Sequence, residues 1–524
     1  MRTVDLSTWS RLRTASQRFK RRLHRRCSFT SAGVKNKVYN ALYVTTIPAG
    51  NRPRGSQINA VAHSSATALK RGSQGMSIHR LIWIFLCCAT AIAQAPANLV
   101  PNPEFTVDGS GKPTSWQLWS PRPDLQPRGE VLSVEGASAL QLTAVDFSSF
   151  GKWRSNEIVV QPGLFYRFEV LYEPKNIVSE RSSVGVMLTW NAADGHPVQR
   201  DYVDRVSPAE SGWRRAFRTL RAPEQASDVM IEFWLRWTDA GSVSFKRPSL
   251  VETTEPALRK VRVVTTRVDP SPARTIEANM RLMADVLDQA GREEPDVVLL
   301  TEIFTERLVS GTVRDRSEPI PGPLTEALGR KARQYHMYIV AGMFELDGAK
   351  TYDTAVLIDR RGQVAGKYRK THLPLAEVED GETPGNDYPV FDTDFGRIGM
   401  LVCWDYYFPE PTRIMRLKGA EMVFLPIAGD PGARHWDIVT RARALDNGVY
   451  VIAAVSEGRA SRIINPEGEV VAETTDGLAT ADLDLDRESR LWWLSVGPAD
   501  GEAKSLVIQE RRPETYKDLL DGSR

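Results

Sequence analysis

The chain has 524 residues, of which 42% are hydrophobic and 25% charged, a composition typical of a globular protein with two or three domains. The net charge of +3 is unevenly distributed. Residues 1–75 hold fifteen lysines and arginines and a single acid, Asp5, so the chain from Met76 onward has a net charge of −11. This acidic part has no basic stripe, and we therefore expect no nucleic-acid partner.

The N-terminal region reads as an extension followed by an export signal. Residues 1–75 lack apolar periodicity, which is typical of a disordered extension, of a transit peptide or of translation from too early a start. From Met76, a cationic pair precedes the apolar run 81–93, and Ala91-Ile92-Ala93 supplies small residues at the −3 and −1 positions. We expect a signal peptide at 76–93 and a secreted or periplasmic protein. An uncleaved anchor is the alternative.

Cysteine usage singles out one thiol. The chain has four cysteines, Cys27, Cys87, Cys88 and Cys403, and the first three lie in the extension or the signal peptide. Once these are removed, no intramolecular disulfide is possible, and Cys403 becomes a candidate nucleophile. A cysteine in an apolar run can equally be a small core residue.

Residues 98–252 predict an all-β sandwich. Apolar and polar residues alternate in the runs 166–172, 184–190 and 229–237, and Gly, Pro and Asp residues separate these runs. No long helical pattern interrupts them. Short alternating strands with frequent turns are typical of a sandwich fold.

The same region is rich in tryptophan. Aromatic rings stack on sugar rings, so a glycan-binding surface is one interpretation, and a packed core is the other. Trp234 lies on the face opposite the apolar stripe, which makes it the candidate for an exposed platform. Seven of the thirteen tryptophans lie here, namely Trp116, Trp119, Trp153, Trp190, Trp213, Trp234 and Trp237.

The ends of this region carry a resemblance. The opening 98–105 (NLVPNPEF) and the closing 241–245 (GSVSF) resemble the carbohydrate-binding jelly-roll modules attached to secreted hydrolases. The resemblance implies a jelly-roll fold and polysaccharide binding for the domain at 98–252.

After a short polar linker the pattern changes to alternating strands and helices. Val261–Thr265 predicts a strand, and a helix follows in which Ser271-Pro272 supplies the N-cap and first-turn proline and Gly291 marks the end. Strand–helix alternation indicates an α/β domain with a buried sheet. Further predicted strands are 297–300, 338–344, 355–358, 398–402 and 421–425, with a helix at 411–418.

Three chemically different side chains follow predicted strands. Glu302 comes after 297–300, Lys370 follows the segment 366–369, and Cys403 comes after 398–402. Residues at strand ends can meet in one pocket although they are far apart in sequence. The thiol would be the nucleophile, the carboxylate would move its proton, and the ammonium would stabilise an oxyanion.

The segments around these residues resemble the three signatures of the nitrilase superfamily of carbon–nitrogen hydrolases. They are Thr301-Glu302-Ile303-Phe304, the lysine segment 368–374 (YRKTHLP) and the cysteine segment 401–405 (LVCWD), in the family's order. The resemblance covers the domain at 260–516 and implies a four-layer α-β-β-α sandwich. It also implies that Glu302, Lys370 and Cys403 are catalytic, that no cofactor or metal is used, and that the protein forms a homo-oligomer.

Two further roles follow from the resemblance. The family uses a second glutamate shortly after the lysine, for which we choose Glu377, with Glu379 and Glu382 as rivals in the same acidic loop. The backbone N–H of Trp404 would join Lys370 in holding the oxyanion.

The resemblance predicts an exported, cysteine-dependent hydrolase of non-peptide carbon–nitrogen bonds that acts through a thioester. The aspartate at position 405 resembles the residue that amidases and carbamoylases have after the catalytic Cys-Trp pair. We therefore prefer an amidase or an N-carbamoyl amide hydrolase, and we expect a small amide or an amidated glycan as substrate. The alternatives are a nitrilase, an N-acyltransferase or an inactive glycan-binding protein. A Cys–His enzyme using His372 or His435 is a further rival, and the scattered histidines form no zinc motif.

Overall fold

The structure, a computed structural model, describes residues 96–429, 435–492 and 499–520. The predicted extension 1–75 and signal peptide 76–93 lie outside the described residues. Within these three stretches no helix has the length and apolarity needed to cross a membrane.

The first domain is built almost entirely of strands. Its one α-helix is a single turn, α1 (Glu180–Ser183). The strands are β1 (Trp116–Trp119), β2 (Arg128–Val134), β3 (Ala137–Thr143), β4 (Phe150–Ser155), β5 (Ile158–Val159), β6 (Phe165–Lys175), β7 (Val184–Asn191), β8 (Pro197–Tyr202), β9 (Arg205–Pro208), β10 (Arg214–Arg221), β11 (Asp228–Arg236) and β12 (Ser242–Thr253).

These strands form two antiparallel sheets around one core. The strand orders are β1-β4-β11-β7-β8, with β5 added to β11, and β2-β3-β12-β6-β10-β9. Alternation along each strand turns every second residue inward. Phe233 of β11 stacks on Phe245 of β12 at 4.6 Å between ring centroids, and Trp190 is fully buried between the sheets. The alternating sequence therefore folds as two packed sheets, while the jelly-roll assignment stays a prediction.

The second domain alternates strands and helices. Its helices are α2 (Ile276–Gly291), α3 (Val313–Arg316), α4 (Pro323–Tyr335), α5 (Leu375–Glu379), α6 (Pro409–Leu417), α7 (Trp436–Leu445) and α8 (Ala503–Gln509). Its strands are β13 (Lys260–Arg267), β14 (Val297–Leu299), β15 (Tyr338–Asp347), β16 (Lys350–Ile358), β17 (Val364–Arg369), β18 (Val390–Asp392), β19 (Arg397–Met400), β20 (Met422–Ile427), β21 (Tyr450–Val455), β22 (Ser461–Ile464), β23 (Val470–Thr474), β24 (Gly477–Asp484), β25 (Arg490–Trp492) and β26 (Asp500–Glu502).

Two six-stranded sheets pack face to face between helices. Their orders are β17-β16-β15-β14-β13-β24 and β18-β19-β20-β21-β22-β23. Strand β14 shows how the layers arise: Val297 and Leu299 enter the core between the sheets, whereas Val298 and Leu300 pack with Met283 of α2 in the outer layer. Met415 of α6 and Ala444 of α7 join the core from the other side. The predicted four-layer α-β-β-α sandwich is confirmed.

The parallel strands of each sheet end at the same edge. β13, β14 and β15 run parallel in one sheet, and β19, β20 and β21 run parallel in the other. The carboxyl ends of neighbouring parallel strands lie at the same edge of a sheet, where loops form binding sites. The segments that follow β14, β19 and β20 are therefore brought together.

The end of the chain returns to the first domain. Strand β26 pairs in parallel with β8, and β25 pairs with β26, so the second domain's C-terminal segment extends a sheet of the sandwich. Helix α8 places Leu506 against Trp234, Met187 and Tyr202. Trp234 is only 5% exposed, and the expectation that it forms an exposed platform is therefore wrong. The alternation of apolar and polar residues correctly placed Trp234 on the outer face of its sheet, but it could not predict that helix α8 covers this face.

The first long helix begins later than predicted. Thr275, not Ser271, is the N-cap of α2, since its Oγ1 accepts a hydrogen bond from the N–H of Ala278 at 3.2 Å. The N–H of Ser271 donates instead to the side chain of Asn279. Ser271-Pro272 therefore forms a turn in front of the helix.

Candidate active site

Three predicted residues meet at the edge where the strands end. Glu302 follows β14, Lys370 follows β17 directly, and Cys403 follows β19. Glu302 and Cys403 line one cavity of about 360 Å³ together with Glu377. The remaining wall consists of Arg307, Pro374, Trp404, Tyr406, Tyr407, Ala428 and Gly429.

Lys370 is the centre of the polar network. Its side chain is fully buried, and its ammonium donates hydrogen bonds to Glu302 Oε1 at 2.9 Å, Asp353 Oδ2 at 3.2 Å and Glu377 Oε1 at 2.7 Å. The other oxygen of Glu302 accepts a hydrogen bond from the backbone N–H of Ala428 at 2.5 Å. Both the ammonium and the Glu302 carboxylate are thereby held in fixed positions.

The same contacts set the protonation of the network. Burial alone would lower the pKa of Lys370, but attraction to Glu302 and Asp353 outweighs it and raises that pKa well above its ordinary value. Burial opposes ionisation of Glu302, yet the charge of Lys370 and the hydrogen bonds hold the pKa of Glu302 below its ordinary value. Burial and repulsion from Glu302 raise the pKa of Asp353 well above normal. Of these two carboxyl groups beside Lys370, Glu302 therefore ionises more readily than Asp353.

The acidic loop that follows Lys370 places the carboxylate of Glu377 in this network and the carboxylate of Glu382 close to it. Glu377 contacts Lys370, whereas Glu379 is exposed. Burial raises the pKa of Glu377 despite the nearby ammonium. Glu382 is buried, and burial together with repulsion from Glu377 raises its pKa to about 8. Of the three candidates in the loop, Glu377 is the one whose carboxylate reaches Lys370.

Cys403 lies at a tight turn between strand and helix. It begins a short 3₁₀ helix, Cys403–Tyr407, and has φ of +40°, a strained conformation for a residue with a side chain. Its side chain is partly exposed to the cavity. Burial and the charge of Glu302 raise the pKa of the thiol well above normal, and Lys370 only partly offsets them. The resting thiol is therefore protonated and needs a base to become a nucleophile.

Trp404 follows Cys403 in the first turn of the 3₁₀ helix. Backbone N–H groups in a first turn have no acceptor within the helix. Its indole is 39% exposed and forms part of the cavity wall. The position of its N–H beside the thiol is consistent with the predicted oxyanion role.

Asp405 joins the cysteine segment to the lysine segment. Its fully buried carboxylate accepts hydrogen bonds from Tyr368 Oη at 2.7 Å, Thr371 Oγ1 at 3.1 Å and the backbone N–H groups of His372 and Val402 at 3.0 and 3.1 Å. His372 Nδ1 lies 2.8 Å from the same carboxylate. His372 is thus engaged with Asp405, and Asp405 acts by fixing two loops rather than by lining the cavity.

Helix α7 also holds the turn that contains Cys403. Arg443 of α7 donates hydrogen bonds to the carbonyls of Tyr406 and Tyr407 at 3.0 and 2.8 Å. Arg443 thus holds the turn that carries Cys403 in place. His435, the other histidine considered for a Cys–His pair, lies at the start of α7 and is exposed.

Three carboxylates form a cluster with the spacing of a metal site. Oxygen atoms of Glu302, Asp353 and Glu377 lie within 4.8 Å of one another. The ammonium of Lys370 is within hydrogen-bond distance of all three, so it provides the cation that such a cluster requires. No cofactor or metal is needed to explain the cluster.

Some site residues were not predicted. Asp353 lies within β16 among buried apolar residues, and Ala428 contributes only a backbone N–H, for which a sequence contains no signal. Arg307 follows Glu302 by five residues and could have been noticed as a cation beside a proposed catalytic loop.

Comparison with known proteins identifies the family. A protein-family model described as carbon-nitrogen hydrolase matches residues 260–491 of the chain. An omega-amidase of Bos taurus is 31% identical over 230 residues, 40% of this chain and 83% of the relative, and the Homo sapiens protein is 30% identical over the same length. A probable nitrilase of Schizosaccharomyces pombe is 28% identical over 270 residues, 47% of this chain and 93% of the relative. Among solved structures, an amidase from Nesterenkonia sp. is 23% identical with a TM-score of 0.42, covering 50% of this chain and 96% of its own.

The sequence matches place the chain in a class of enzymes that hydrolyse carbon–nitrogen bonds. The chain belongs to the carbon–nitrogen hydrolase family, in the nitrilase superfamily. The matched region is the four-layer domain that contains Glu302, Lys370 and Cys403.

Proposed function

We propose that this protein is a cysteine-dependent amidase in which Cys403 is the nucleophile and Glu302, Lys370 and Glu377 complete the catalytic group. The observation that supports this most strongly is the placement of a thiol and two carboxylates on one cavity, with a buried ammonium bound to both carboxylates. Each part has a different task in hydrolysing an amide.

In the first half-reaction, Glu302 takes the proton of the Cys403 thiol as the sulfur attacks the amide carbon. The carbonyl oxygen becomes an oxyanion, which the Lys370 ammonium and the N–H of Trp404 stabilise. Glu302 then returns the proton to the leaving nitrogen, the C–N bond breaks, and ammonia leaves. The acyl group remains on sulfur as a thioester.

In the second half-reaction, water attacks the thioester. Glu302 accepts a proton from the water, the C–S bond breaks, and the proton returns to the sulfur. The products are a carboxylic acid and the free thiol. Glu377 acts by fixing Lys370, to which it is hydrogen-bonded at 2.7 Å, so that the ammonium stays at the oxyanion position.

Amides are the preferred substrates. The omega-amidases of Bos taurus, Homo sapiens and several other vertebrates align with the catalytic region at 29 to 32% identity. N-carbamoyl amides are a close second, because they too would place an acyl group on the thiol. Nitrile hydrolysis is the alternative, which the probable nitrilase among the relatives supports. An N-acyltransferase would differ only in the nucleophile that takes the acyl group.

The direct test is ammonia release by the chain from Gln94 onward on matched amide, N-carbamoyl and nitrile substrates. We expect the amides to be hydrolysed fastest and Cys403→Ala to lose at least about 10³-fold in kcat. Equal rates for Cys403→Ala and the wild type would show that the nucleophile is wrongly assigned. Release from nitriles alone would make the protein a nitrilase, and release from none of the three substrate classes would favour the inactive glycan-binding alternative.

We further propose that the enzyme is exported and that the first domain binds polysaccharide, which would direct it to an amidated glycan. The signal pattern at 76–93 supports export. Trp119 and Trp237 are partly exposed, each with an arginine guanidinium within 4 Å of its ring centre, Arg154 at 3.8 Å and Arg236 at 3.9 Å. Such rings can also stack on sugars.

Export and glycan binding have separate tests. Mass spectrometry of the mature N-terminus should find Gln94, and a chain that retains Met1 would contradict export. Retention on insoluble polysaccharide should fall in a Trp119→Ala/Trp237→Ala double variant. Unchanged retention would move the binding surface elsewhere. Light scattering of the purified protein would test the expected homo-oligomer.

A further inference from the structure

A charged cavity lies where the two domains meet the end of the chain. Its volume is about 220 Å³, and its described wall residues differ from those of the catalytic cavity. The first domain contributes Arg218, the second domain contributes Arg416 of α6, and Glu502 and Lys504 come from the C-terminal segment that contains β26 and α8. The wall carries six cationic and five acidic side chains, so one positive charge is in excess.

Most of the arginines in this wall have carboxylate partners. Arg259 contacts Glu421 at 2.9 Å and Asp486 at 2.7 Å, and the buried Arg218 contacts Glu488 at 3.2 Å. These ion pairs neutralise the charges that they join. The paired arginines therefore do not require a ligand.

Two cations of the wall use only carbonyl oxygens as acceptors. Arg416 donates to the carbonyl of Asn447 at 3.2 Å and to that of Lys504 at 3.4 Å, and Nζ of Lys504 donates to the carbonyl of Arg487. Neither cation forms an ion pair with a carboxylate in the part of the chain that the structure describes. The stem of Lys504 lies close to Gly448, where a Cβ would be 3.1 Å from its Cα and Cγ. The two cations are thus held side by side.

Burial makes these two unpaired charges unfavourable. Burial lowers the pKa of Arg416, and it also lowers the pKa of Lys504, where repulsion from Arg416 adds to the effect. The acids of the wall attract both cations but do not offset the burial. An anion beside the two side chains would supply the missing counter-charge. The donors of an arginine and a lysine suit the oxygens of an oxyanion.

The carboxylate of Glu502 defines a second property of the ligand. Glu502 is 5% exposed, and its Oε2 accepts hydrogen bonds from the N–H and the hydroxyl of Ser505 at 2.8 and 3.0 Å. Its Oε1 is buried and has no donor among the residues that the structure describes. Because a buried acceptor without a donor is unfavourable, a matching ligand offers a hydroxyl group as well as anionic oxygens.

We propose that this cavity binds a small oxyanion that also carries a hydroxyl group. Arg416 and Lys504 bind its anionic oxygens, and Oε1 of Glu502 accepts a hydrogen bond from its hydroxyl. Hydrogen phosphate and a sugar acid both have this chemistry, whereas sulfate lacks the hydroxyl. The bound ligand would connect α6 of the second domain with the segment whose strand β26 pairs with β8 of the first domain. It would therefore stabilise the attachment of the two domains.

The test is calorimetric titration of the chain from Gln94 onward with inorganic phosphate, at neutral pH and constant ionic strength. We expect one phosphate per chain and sulfate binding that is at least about tenfold weaker. Phosphate at about 100 times its dissociation constant should raise the midpoint of thermal unfolding by several degrees, and chloride at the same ionic strength should not. Equal effects of phosphate and chloride would show charge screening alone and overturn the proposal.

Two variants test the residues. Lys504→Met keeps the stem beside Gly448, and Arg416→Lys keeps the charge without the fork, and each should weaken phosphate binding about 10-fold. The matched control Arg281→Lys/Lys350→Met changes two exposed cations elsewhere and should bind phosphate like the wild type. Unchanged phosphate affinity in both cavity variants would overturn the proposal. A less stable variant that still gains the full thermal shift with phosphate would show a structural role only, and would contradict it too.

Titration with glucuronate distinguishes the sources of the oxyanion. Tighter binding of glucuronate than of phosphate would identify an acidic sugar, and the reverse order would identify a phosphate compound. Binding of neither ligand, or binding of sulfate as tight as that of phosphate, would contradict the proposed chemistry. These measurements do not involve hydrolysis, so the cavity and the amidase function can fail separately.

Discussion

Two buried glutamates make the stability of the protein depend on pH. Burial raises the pKa of Glu306 to about 8, and burial with repulsion from Glu377 raises that of Glu382 to about 8, from an ordinary value of 4.5. Between these values the folded chain binds more protons than the unfolded chain. The free energy of unfolding therefore falls as the pH rises from about 4.5 through about 8.

Replacing either glutamate by glutamine should reduce this pH dependence. Glutamine stays neutral, so Glu306→Gln and Glu382→Gln should each raise the free energy of unfolding at pH 8, by up to about 4 kcal/mol, and change it little at pH 4.5. Urea denaturation at both pH values measures the difference. The exposed Glu326→Gln is the control, and a variant with the same pH slope as this control would show that the replaced carboxyl ionises freely.

The residue scale also shows what a sequence can reveal about this site. Glu302, Lys370 and Cys403 were predicted because each follows an apolar run or a recognisable segment. Asp353 was not, because a carboxyl inside a strand becomes a site residue only when another strand brings Lys370 beside it. The sequence likewise could not decide which of Glu377, Glu379 and Glu382 contacts Lys370, because this depends on how the short helix α5 and the loop after it orient these side chains.

At the scale of elements, the active site depends on two loops held by one carboxylate. Asp405 in the 3₁₀ helix receives hydrogen bonds from the lysine segment and from Val402, so it fixes Lys370 relative to Cys403. It positions the catalytic groups and does not contact the cavity.

Asp405→Asn should weaken both catalysis and folding. The amide NH₂ cannot accept the hydrogen bonds that one carboxylate oxygen receives, and buried donors such as Tyr368 Oη would lose their acceptor. We expect a loss of about 2–3 kcal/mol in the free energy of unfolding and of about 10–100-fold in kcat, with KM little changed. Asp476→Asn, at an exposed site, is the control. An Asp405→Asn enzyme with normal kcat would show that the two loops are fixed by other contacts.

Element boundaries followed the sequence less well than element types. The helix α2 was predicted from its apolar stripe, but Ser271-Pro272 and Thr275 both offer capping chemistry, and only the contacts of Asn279 decide between them. The local sequence pattern was therefore enough to predict the helix and its buried face. Its first residue could not be predicted, because it depends on a tertiary hydrogen bond.

At the scale of the whole molecule, the C-terminal segment joins the two domains. Strand β26 adds to the sheet of β8, and Leu506 of α8 covers Trp234. Sequence patterns could not reveal this, because the residues in contact are about 270 to 300 positions apart. An aromatic face that looked free in one domain was covered by the last helix of the other.

This connection predicts that cutting the linker will not release the first domain. Residues 254–258 are exposed, so a protease site inserted there should be cleaved readily. The two fragments should elute together in size-exclusion chromatography, since β26 and α8 stay in the sandwich. Leu506→Asp should weaken this association, and Leu519→Asp, at an exposed position, should not. Separate elution of the wild-type fragments without denaturant would contradict this arrangement.

The proposed chemistry requires an acyl group on one sulfur, and Cys403 is the single cysteine among the residues that the structure describes. Acid quenching during turnover of an amide, followed by intact-mass and peptide mass spectrometry, detects that thioester directly. The expected result is a mass increase equal to the acyl group, located on Cys403 and missing in Cys403→Ala. Sustained amide hydrolysis by Cys403→Ala would contradict covalent catalysis by this thiol.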